Sequence, residues 1–573
     1  MLKFKGVVVS PGVASGPLLV LRRESALEAV ERRSVEDAEQ EVLRLSEAGS
    51  QLRRKLEEIS SMLPREEREI VEAQNLMLDS LVQEAQEKVR SELTCAEWAV
   101  KQVYEKYSSL LASGGELFAL RAQDLRDLAR RLVAVLSGCS TIQLSFRGRV
   151  LVAEEMDPIE FLEASEAGIA GLVTRSGGPT SHVSILARLR GVPYVIASSV
   201  DPALLKDGAD AVLDAVNGYL IVEPPLEEKS RYEAVAAELR ELAKAYSAEA
   251  LLEPVTADGV RVWVACNAGS VEDLRAAASY GCGGVGLFRV EFAYMAKLEA
   301  PSEDELYELF RRGLELLGGG PLTVRAPDIG GDKPVRFLEL PGEPNPQLGV
   351  RGARLLLAHR DRLLKPLIRA VLRAAVHGDI RLMFPMITSV EEVEELTSAV
   401  AEEAESLESL GAAYRLPKLG VMVEVPSAAL LAREIVEKGG LSFISFGTND
   451  LTQYVLAADR GNPRVSSIYD EMNPAVLRLI RYAAERVKGK AEVEVCGEMA
   501  SRGLAVPVLL GLGVEVLSVA PAFVGRVKYV IRRVKMSEVS EQVRELVERA
   551  ATSSEVRAWS RKYLESVGAR VLE

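Results

Sequence analysis

From residue 256 onward the chain repeats one pattern eight times: a short apolar run, a loop and an amphipathic helix. The runs are Val260–Cys266, Gly284–Phe288, Leu322–Arg325, Arg381–Phe384, Leu419–Val423, Phe443–Phe446, Glu492–Val495 and Val516–Val519. Continuous apolar segments bounded by turns are the mark of strands buried on both faces, and the helices between them make successive strands parallel. Eight such units predict a C-terminal (β/α)8 TIM barrel, with a doubly wound open sheet as the alternative. The choice has consequences, because a barrel gathers its chemistry at the C-terminal ends of its strands.

Unusual polar residues stand at those ends. GGVGLFRVEF ends at Arg289 and Glu291, LTVRAPDIGGDK at Arg325 and LGVMVEVPSAA at Glu424. FISFGTNDLTQYVLAADRGN brings Asn449 and Asp450, with Arg460 in the following segment, and VEVCGEMA brings Cys496. Arginine forks clamp carboxylate and phosphate groups, while Glu424 and Asp450 offer the hard oxygen ligands that Mg²⁺ takes. A thiol with an ordinary pKa of about 8.5 is mostly protonated at neutral pH and can donate. Together these residues predict a site for a small phosphorylated acid with a proton donor beside it.

The first part of the chain is organised differently. Residues 1–21 alternate apolar runs with Gly, Pro and Ser turns and predict two strands. From about 25 to 138 the composition is helical, with apolar residues at helical spacing (Leu43, Leu45; Ile70, Leu76, Met77; Leu128, Leu132, Val135), and four or so long helices are expected. Strand-like runs resume at Val150–Ala153, Gly171–Thr174, Pro193–Ile196 and Ala211–Asp214. The simplest organisation is one α/β domain, residues 1–24 plus 139–222, with the helical block 25–138 inserted into it. Pro224-Pro225 closes that domain, 223–255 predicts a linker helix with a hinge, and the barrel takes 256–573.

Only three histidines occur, at 182, 359 and 377. His182 lies in TRSGGPTSHVSILARLRGVPYV, where Gly177-Gly178-Pro179 turns the chain and Thr180 and Ser181 are N-cap residues. That places the imidazole in the first turn of a helix, where free N–H groups and the positive dipole end favour an anion. Neutral imidazole is a nucleophile, so such a residue can carry a phosphoryl group. His359 and His377 sit in Arg-rich helical segments and are expected to be structural or solvated.

GGPTSHVSILARLRGVPYVIA resembles the phosphohistidine segment of the enzyme I family of the phosphoenolpyruvate-dependent sugar phosphotransferase system. GVGLFRVEFAYM, RAPDIGGDK, NPQLGVRGAR, MFPMI, VMVEVPSAA, FGTNDLTQYVLAADRGN, MNPAVLRLI and CGEMAS resemble the same family's blocks in the same order. The resemblance implies a swivelling phosphohistidine domain and a phosphoenolpyruvate site made by Arg289, Arg325, Arg351, Arg460, Asn449 and Asp450. It also implies Mg²⁺ on Glu424 and Asp450, proton donation by Cys496, and phosphoryl transfer through His182 to a small histidine-containing phosphocarrier protein docked on the helical insert. Dimerisation through the barrel is implied by resemblance alone. This chain departs from the family at Pro179, Val290 and Ala326-Pro327, none of which is a proposed reacting group. A pyruvate phosphate dikinase or phosphoenolpyruvate synthase-like half enzyme and a non-catalytic phosphoenolpyruvate sensor are the alternatives; the dikinase needs a nucleotide domain that has no room before residue 182.

Lys plus Arg number 70 and Asp plus Glu 84, a balance of −14 that argues against nucleic acid and fits a basic protein partner. No window approaches the roughly 18 unbroken apolar residues of a membrane span, and the start lacks a signal-peptide core, so no membrane insertion and a cytoplasmic setting are expected. The five cysteines form no CxxC pair, which predicts free thiols and no zinc site.

Overall fold

The computed structural model describes residues 1–21, 27, 30–62, 65–111, 116–137, 146–177, 182–295, 297, 299–331, 335, 337–338, 342–460, 462, 464–465 and 468–571. They form two compact units, Met1–Arg240 and Glu241–Glu573.

The first unit is built on a mixed sheet of eight strands: β1 (Leu2–Lys5), β2 (Val7–Ser10), β3 (Val13–Leu21), β4 (Val150–Ala153), β5 (Gly171–Thr174), β6 (Tyr194–Ile196), β7 (Asp210–Asp214) and β8 (Tyr219–Val222). Their order is β1-β8-β7-β3-β4-β5-β6-β2, with β3 to β6 parallel and the flanking pairs antiparallel. The first 21 residues give three strands, not two, because Gly6 and the Pro11-Gly12 turn each break the run. The parallel strands β4 and β5 are buried at every position, as a strand covered on both faces must be.

Among the described residues four helices separate β3 from β4: α1 (Ala38–Met62), α2 (Arg65–Glu92), α3 (Ala96–Leu111) and α4 (Glu116–Leu136). Leu45, Leu52 and Leu56 of α1 meet Leu81, Ala85 and Val89 of α2 and Leu128 and Leu132 of α4 in one core. That core continues into Leu19, Leu151 and Leu172 on one face of the sheet, while Leu18, Val150, Val152, Val173 and Leu213 fill the other. Leu43, counted with the stripe on spacing, is 60% exposed, because it is two residues from Leu45 and so turned away from that face.

Two more helices, α5 (Pro158–Glu166) and α6 (His182–Arg190), complete the α/β layer, and α7 (Leu226–Glu249) follows the sheet. The division between units falls inside α7. Tyr232 near its start donates to Asp214 Oδ2 at 3.1 Å within the first unit. Tyr246 near its end donates to the carbonyl of Arg570 at 3.1 Å within the second, where Glu249 pairs with Arg532 at 2.6 Å and Arg533 at 3.1 Å.

The second unit is a closed barrel of eight parallel strands: β9 (Trp263–Ala268), β10 (Val285–Arg289), β11 (Leu322–Arg325), β12 (Ile380–Phe384), β13 (Lys418–Val423), β14 (Phe443–Phe446), β15 (Glu492–Val495) and β16 (Val516–Val519). Pairing of β16 with β9, Val516 opposite Trp263 and Val519 opposite Cys266, closes the ring and excludes the open sheet. Outward residues such as Val324, Leu382, Val421 and Ile444 pack under the helices, while Leu287, Met383, Met422, Phe443 and Cys496 form a separate cluster in the lumen.

The free-thiol expectation fails for two cysteines: Cys266 and Cys282 are disulfide-bonded, with Cα atoms 5.7 Å apart. Cys266 lies on β9 and Cys282 just before the neighbouring β10, so one crossover returns the chain beside its start, a proximity that local spacing does not reveal. Cys95 and Cys496 are free and buried. No helix among the described residues is long and apolar enough to cross a membrane.

Candidate active site

One cavity of ≈ 320 Å³ opens at the C-terminal ends of the barrel strands, lined by Arg289, Arg325, Glu424, Asn449, Asp450, Arg460 and Cys496 together with Leu287, Met422 and Glu498. Seven residues singled out from five separate strand ends therefore converge on one space.

Arg325, at the end of β11, is buried and carries its charge among carboxylates. Its guanidinium pairs with Glu291, whose same oxygen accepts the Asp328 N–H at 2.9 Å, and it lies 3.9 Å from Asp328 Oδ2. Burial opposes that charge, but Glu291, Asp328 and Glu424 outweigh it and hold the arginine firmly protonated. Arg289 faces the same space without an ion pair among the described residues. Burial of its head group, then repulsion from Arg325, lowers its proton affinity. An unpaired guanidinium beside a second one is a receptor for an anion.

Glu424 follows β13 and is 1% exposed. Its Oε1 accepts the Met386 N–H at 2.7 Å; Met386 holds a left-handed φ of 56° in the loop after β12. Its other oxygen faces Gly447, where a Cβ would lie 2.8 Å from Oε2, so only glycine leaves that oxygen open. Burial first, then the charges of Asp450 and Asp328, push the Glu424 carboxyl up to about 8. A divalent cation held by Glu424 and Asp450 would relieve that repulsion, and their hard oxygen donors fit Mg²⁺. No cluster of three or more candidate ligands occurs among the described residues, so water and a bound phosphate would have to complete an octahedron.

Arg351 is the one expected substrate residue that does not line the cavity. It is 1% exposed and grips Asp328 through Nε at 3.1 Å and Nη2 at 2.7 Å, with Nη1 3.3 Å from Asp450 Oδ1. It therefore positions Asp450 from behind. Its approach uses Gly330, whose φ is +93° and whose added Cβ would meet Val350 O at 2.4 Å. Arg460 reaches the other oxygen of Asp450, Oδ2, at 3.4 Å from the cavity side. Asn449 Oδ1 accepts the Glu498 N–H at 3.0 Å, which leaves its amide nitrogen to donate.

Cys496 is 1% exposed, and its thiol contacts Phe446 O at 3.7 Å. Burial, reinforced by the charge of Glu424, pushes it up to about 11, so it holds its proton more tightly than its sequence alone implies. Asp328 escaped the sequence reading, although the DIGG run that delivers it was in view. Glu291, noted at a strand end, turns out to face Arg325 and not solvent.

His182 opens α6 in the first unit, the helix that follows β5 in the chain. Gly178, Pro179, Thr180, Ser181 and the His182 side chain lie outside the described residues, as do the side chain of Gln74 and Cys139. His359 ends a helical turn, and His377 Nε2 lies 2.9 Å from the Tyr307 hydroxyl, so both have structural surroundings.

The fold and the cavity together define a barrel unit of the enzyme class, whose arginines, carboxylate pair and thiol line a space with the chemistry for a small anion. Three family models cover the chain: PEP-utilising enzyme, N-terminal, over residues 5–121; its mobile domain over 146–218; and its PEP-binding domain over 244–536. The phosphoenolpyruvate-protein phosphotransferase of Geobacillus stearothermophilus is 35% identical over 96% of both chains. That of Bacillus subtilis (strain 168) is 34% identical over 98% of this chain and 99% of its own, and that of Haloferax volcanii 38% identical over 80% of each. The chain belongs to the PEP-utilising enzymes and, among them, to the phosphoenolpyruvate-protein phosphotransferase family.

Proposed function

We propose that the chain moves the phosphoryl group of phosphoenolpyruvate to His182 and from there to a histidine of a small phosphocarrier protein, releasing pyruvate as the first step of sugar phosphotransferase transport. The observation that carries the reading is the cavity in which two neighbouring guanidiniums, one without a carboxylate partner, face a buried Glu424–Asp450 pair and a protonated thiol. Arg289 and Arg325 hold the substrate's carboxylate and phosphate, Arg460 and the Asn449 amide complete the clamp, and Arg351 fixes Asp450. Glu424 and Asp450 would hold Mg²⁺, which when bound would offset the phosphate charge.

Attack by the neutral imidazole of His182 on phosphorus breaks the bond to the enol oxygen and leaves pyruvate enolate. The Cys496 thiol gives its proton to the enolate methylene carbon, forming the methyl group of pyruvate. One imidazole cannot face the enol phosphate and a carrier at once, so a movement separates the two transfers. The family relationship favours this reading over a dikinase half enzyme or a sensor. We assign the reaction to the cytoplasm, although a disulfide is unusual in a reducing compartment. Exposed apolar side chains of the barrel unit, among them Leu430, Leu431 and Ile468, suit a homodimer contact, which sedimentation equilibrium would detect.

Radiolabelled phosphoenolpyruvate with Mg²⁺ is expected to give an acid-labile, base-stable phosphoprotein whose label passes to an added carrier. Stable label on a His182→Ala variant would falsify the assignment.

A further inference from the structure

Beneath the cavity the lumen holds polar side chains to which the proposed reaction gives no task. Positions 492, 494 and 496 alternate along and just past β15 and so share its inward face. On β14, Ser445 is the register partner of Glu494, and Phe443 that of Glu492, so Ser445 shares that inward face. Ser445 Oγ is buried and has no hydrogen bond of ordinary geometry among the described residues, yet lies close enough to the Cys496 thiol to favour its thiolate.

Glu494 is 1% exposed. One of its oxygens accepts from Arg381 Nη1 at 3.1 Å, and Oε2 is buried and meets no N–H donor among the described residues. Burial, then a hydrogen bond to the adjacent Glu492 carboxylate, raises the Glu494 carboxyl well above the usual carboxylate range, with Glu492 as the acceptor of its proton. Arg381 also binds Glu492 Oε1 at 2.8 Å, and Glu492 reaches solvent, its side chain 32% exposed, at the end of the barrel where Lys418 is exposed. Leu287, Met383, Met422 and Phe443 form one buried cluster with Cys496 and leave it an apolar setting. The Glu494 carboxyl, joined to Glu492, and the Ser445 hydroxyl thus lie between a solvent-facing carboxylate and the thiol.

We infer that Glu494 and Ser445 form an internal proton route that reloads the Cys496 thiol from the solvent end of the barrel, opposite the cavity. The inference rests on the reading of Cys496 as proton donor. Once the enolate carbon takes the thiol proton, an S–H bond is replaced by a C–H bond and a thiolate remains in an apolar enclosure whose other side is filled by product. The thiolate takes the hydroxyl proton of Ser445, Ser445 takes the carboxyl proton of Glu494, and Glu494 regains one from water through Glu492. The net change is one proton moved from solvent to the pyruvate methyl group.

Exchange of pyruvate methyl protons in D₂O with Mg²⁺, followed by proton NMR, isolates this step because it needs Cys496 and not His182. Glu494→Gln and Ser445→Ala are each expected to slow the exchange about tenfold or more, with KM for phosphoenolpyruvate within about twofold and Glu494→Asp in between. A plain structural role for the Arg381–Glu494 pair predicts instead a change in melting temperature or KM with exchange intact. Wild-type exchange rates in both variants, while Cys496→Ala is impaired, overturn the route and leave the proposed function standing. No exchange by the wild type, or exchange that Cys496→Ala does not alter, defeats the reading of Cys496 itself. Circular dichroism checks each fold, and if Glu494→Gln does not fold, Ser445→Ala, which removes a single oxygen atom, decides the matter.

Discussion

The two units solve the problem of holding reactive groups in opposite ways. The barrel brings five strand ends to one cavity and fixes most of its charges with a partner: Glu291 holds Arg325, Arg351 holds Asp328 and Asp450, and the Met386 N–H holds Glu424. In the proposed reaction the first unit contributes one histidine at the start of a helix, and its four long helices pack around a core of their own. A site that binds a small anion needs many fixed donors, whereas a carrier of a phosphoryl group needs one nucleophile that can be presented twice. The division of labour predicts that damage to one unit leaves the other unit's partial reaction intact.

His182→Ala is the largest test of that separation. Phosphoprotein formation from labelled phosphoenolpyruvate is expected to vanish, while Mg²⁺-dependent pyruvate proton exchange continues at the wild-type rate. Loss of both activities together would show that the units do not act as separable parts.

Stability gives the next contrast. Closing a loop of 16 residues, the Cys266–Cys282 bond stabilises the native state by about 3 kcal/mol in the chain-entropy view. The Cys266→Ser, Cys282→Ser double variant should therefore lower the melting transition of the barrel and spare that of the first unit, as two-transition calorimetry would show. A single shifted transition for both units would mean that they unfold as one. A non-reducing digest joining the two cysteine-bearing peptides checks the bond itself.

The unpaired guanidinium supplies the third. A hydrogen bond to a charged group contributes about 1.5–3 kcal/mol, so Arg289→Ala should raise KM for phosphoenolpyruvate by roughly 10- to 150-fold. Arg351→Lys should act differently, because Arg351 reaches Asp450 and not the cavity. It is expected to weaken the apparent Mg²⁺ affinity more than phosphoenolpyruvate binding, measured by varying each at saturating levels of the other. Equal effects on both would place Arg351 in direct contact with substrate.

The unequal legibility of the two units follows from the same physics. Strand ends of a parallel barrel are read from short apolar runs, since each run is buried on both faces, and a polar residue that ends one must point at the cavity. Arg289, Arg325, Glu424, Asp450 and Cys496 were therefore found from sequence, and β11, β14, β15 and β16 begin and end where their apolar runs do. What escaped depends on side chains meeting across strands. Asp328 matters through Arg351, 23 positions away; Glu494 through Arg381, 113 away; and Cys266 through Cys282 across a crossover. In the helical block the period marks the core but not a docking face, because nothing in a repeating stripe says what lies on the opposite side.

The smallest expected effect is an absence of change, and it sharpens the contrast between a surface thiol and one enclosed by the barrel. Burial raises the Cys496 thiol to about 11 in the folded chain, against about 8.5 for an ordinary cysteine. Because the folded value is the higher one, the native state binds the proton more tightly. The stability this contributes is complete below about pH 8.5 and is lost as pH rises toward the folded value. At saturating Mg²⁺, where Glu424 would stay ionised, Cys496-dependent proton exchange should then stay level from about pH 6 to 9, where an ordinary thiol would already be losing its proton. Iodoacetamide labelling of Cys496, followed by mass spectrometry of its peptide, should likewise stay slow through that window and accelerate only above it. A labelling curve with its midpoint near 8.5 would mean that water enters the lumen around the thiol. The barrel would then differ from the first unit in the number of its fixed charges but not in the dryness of its proton donor.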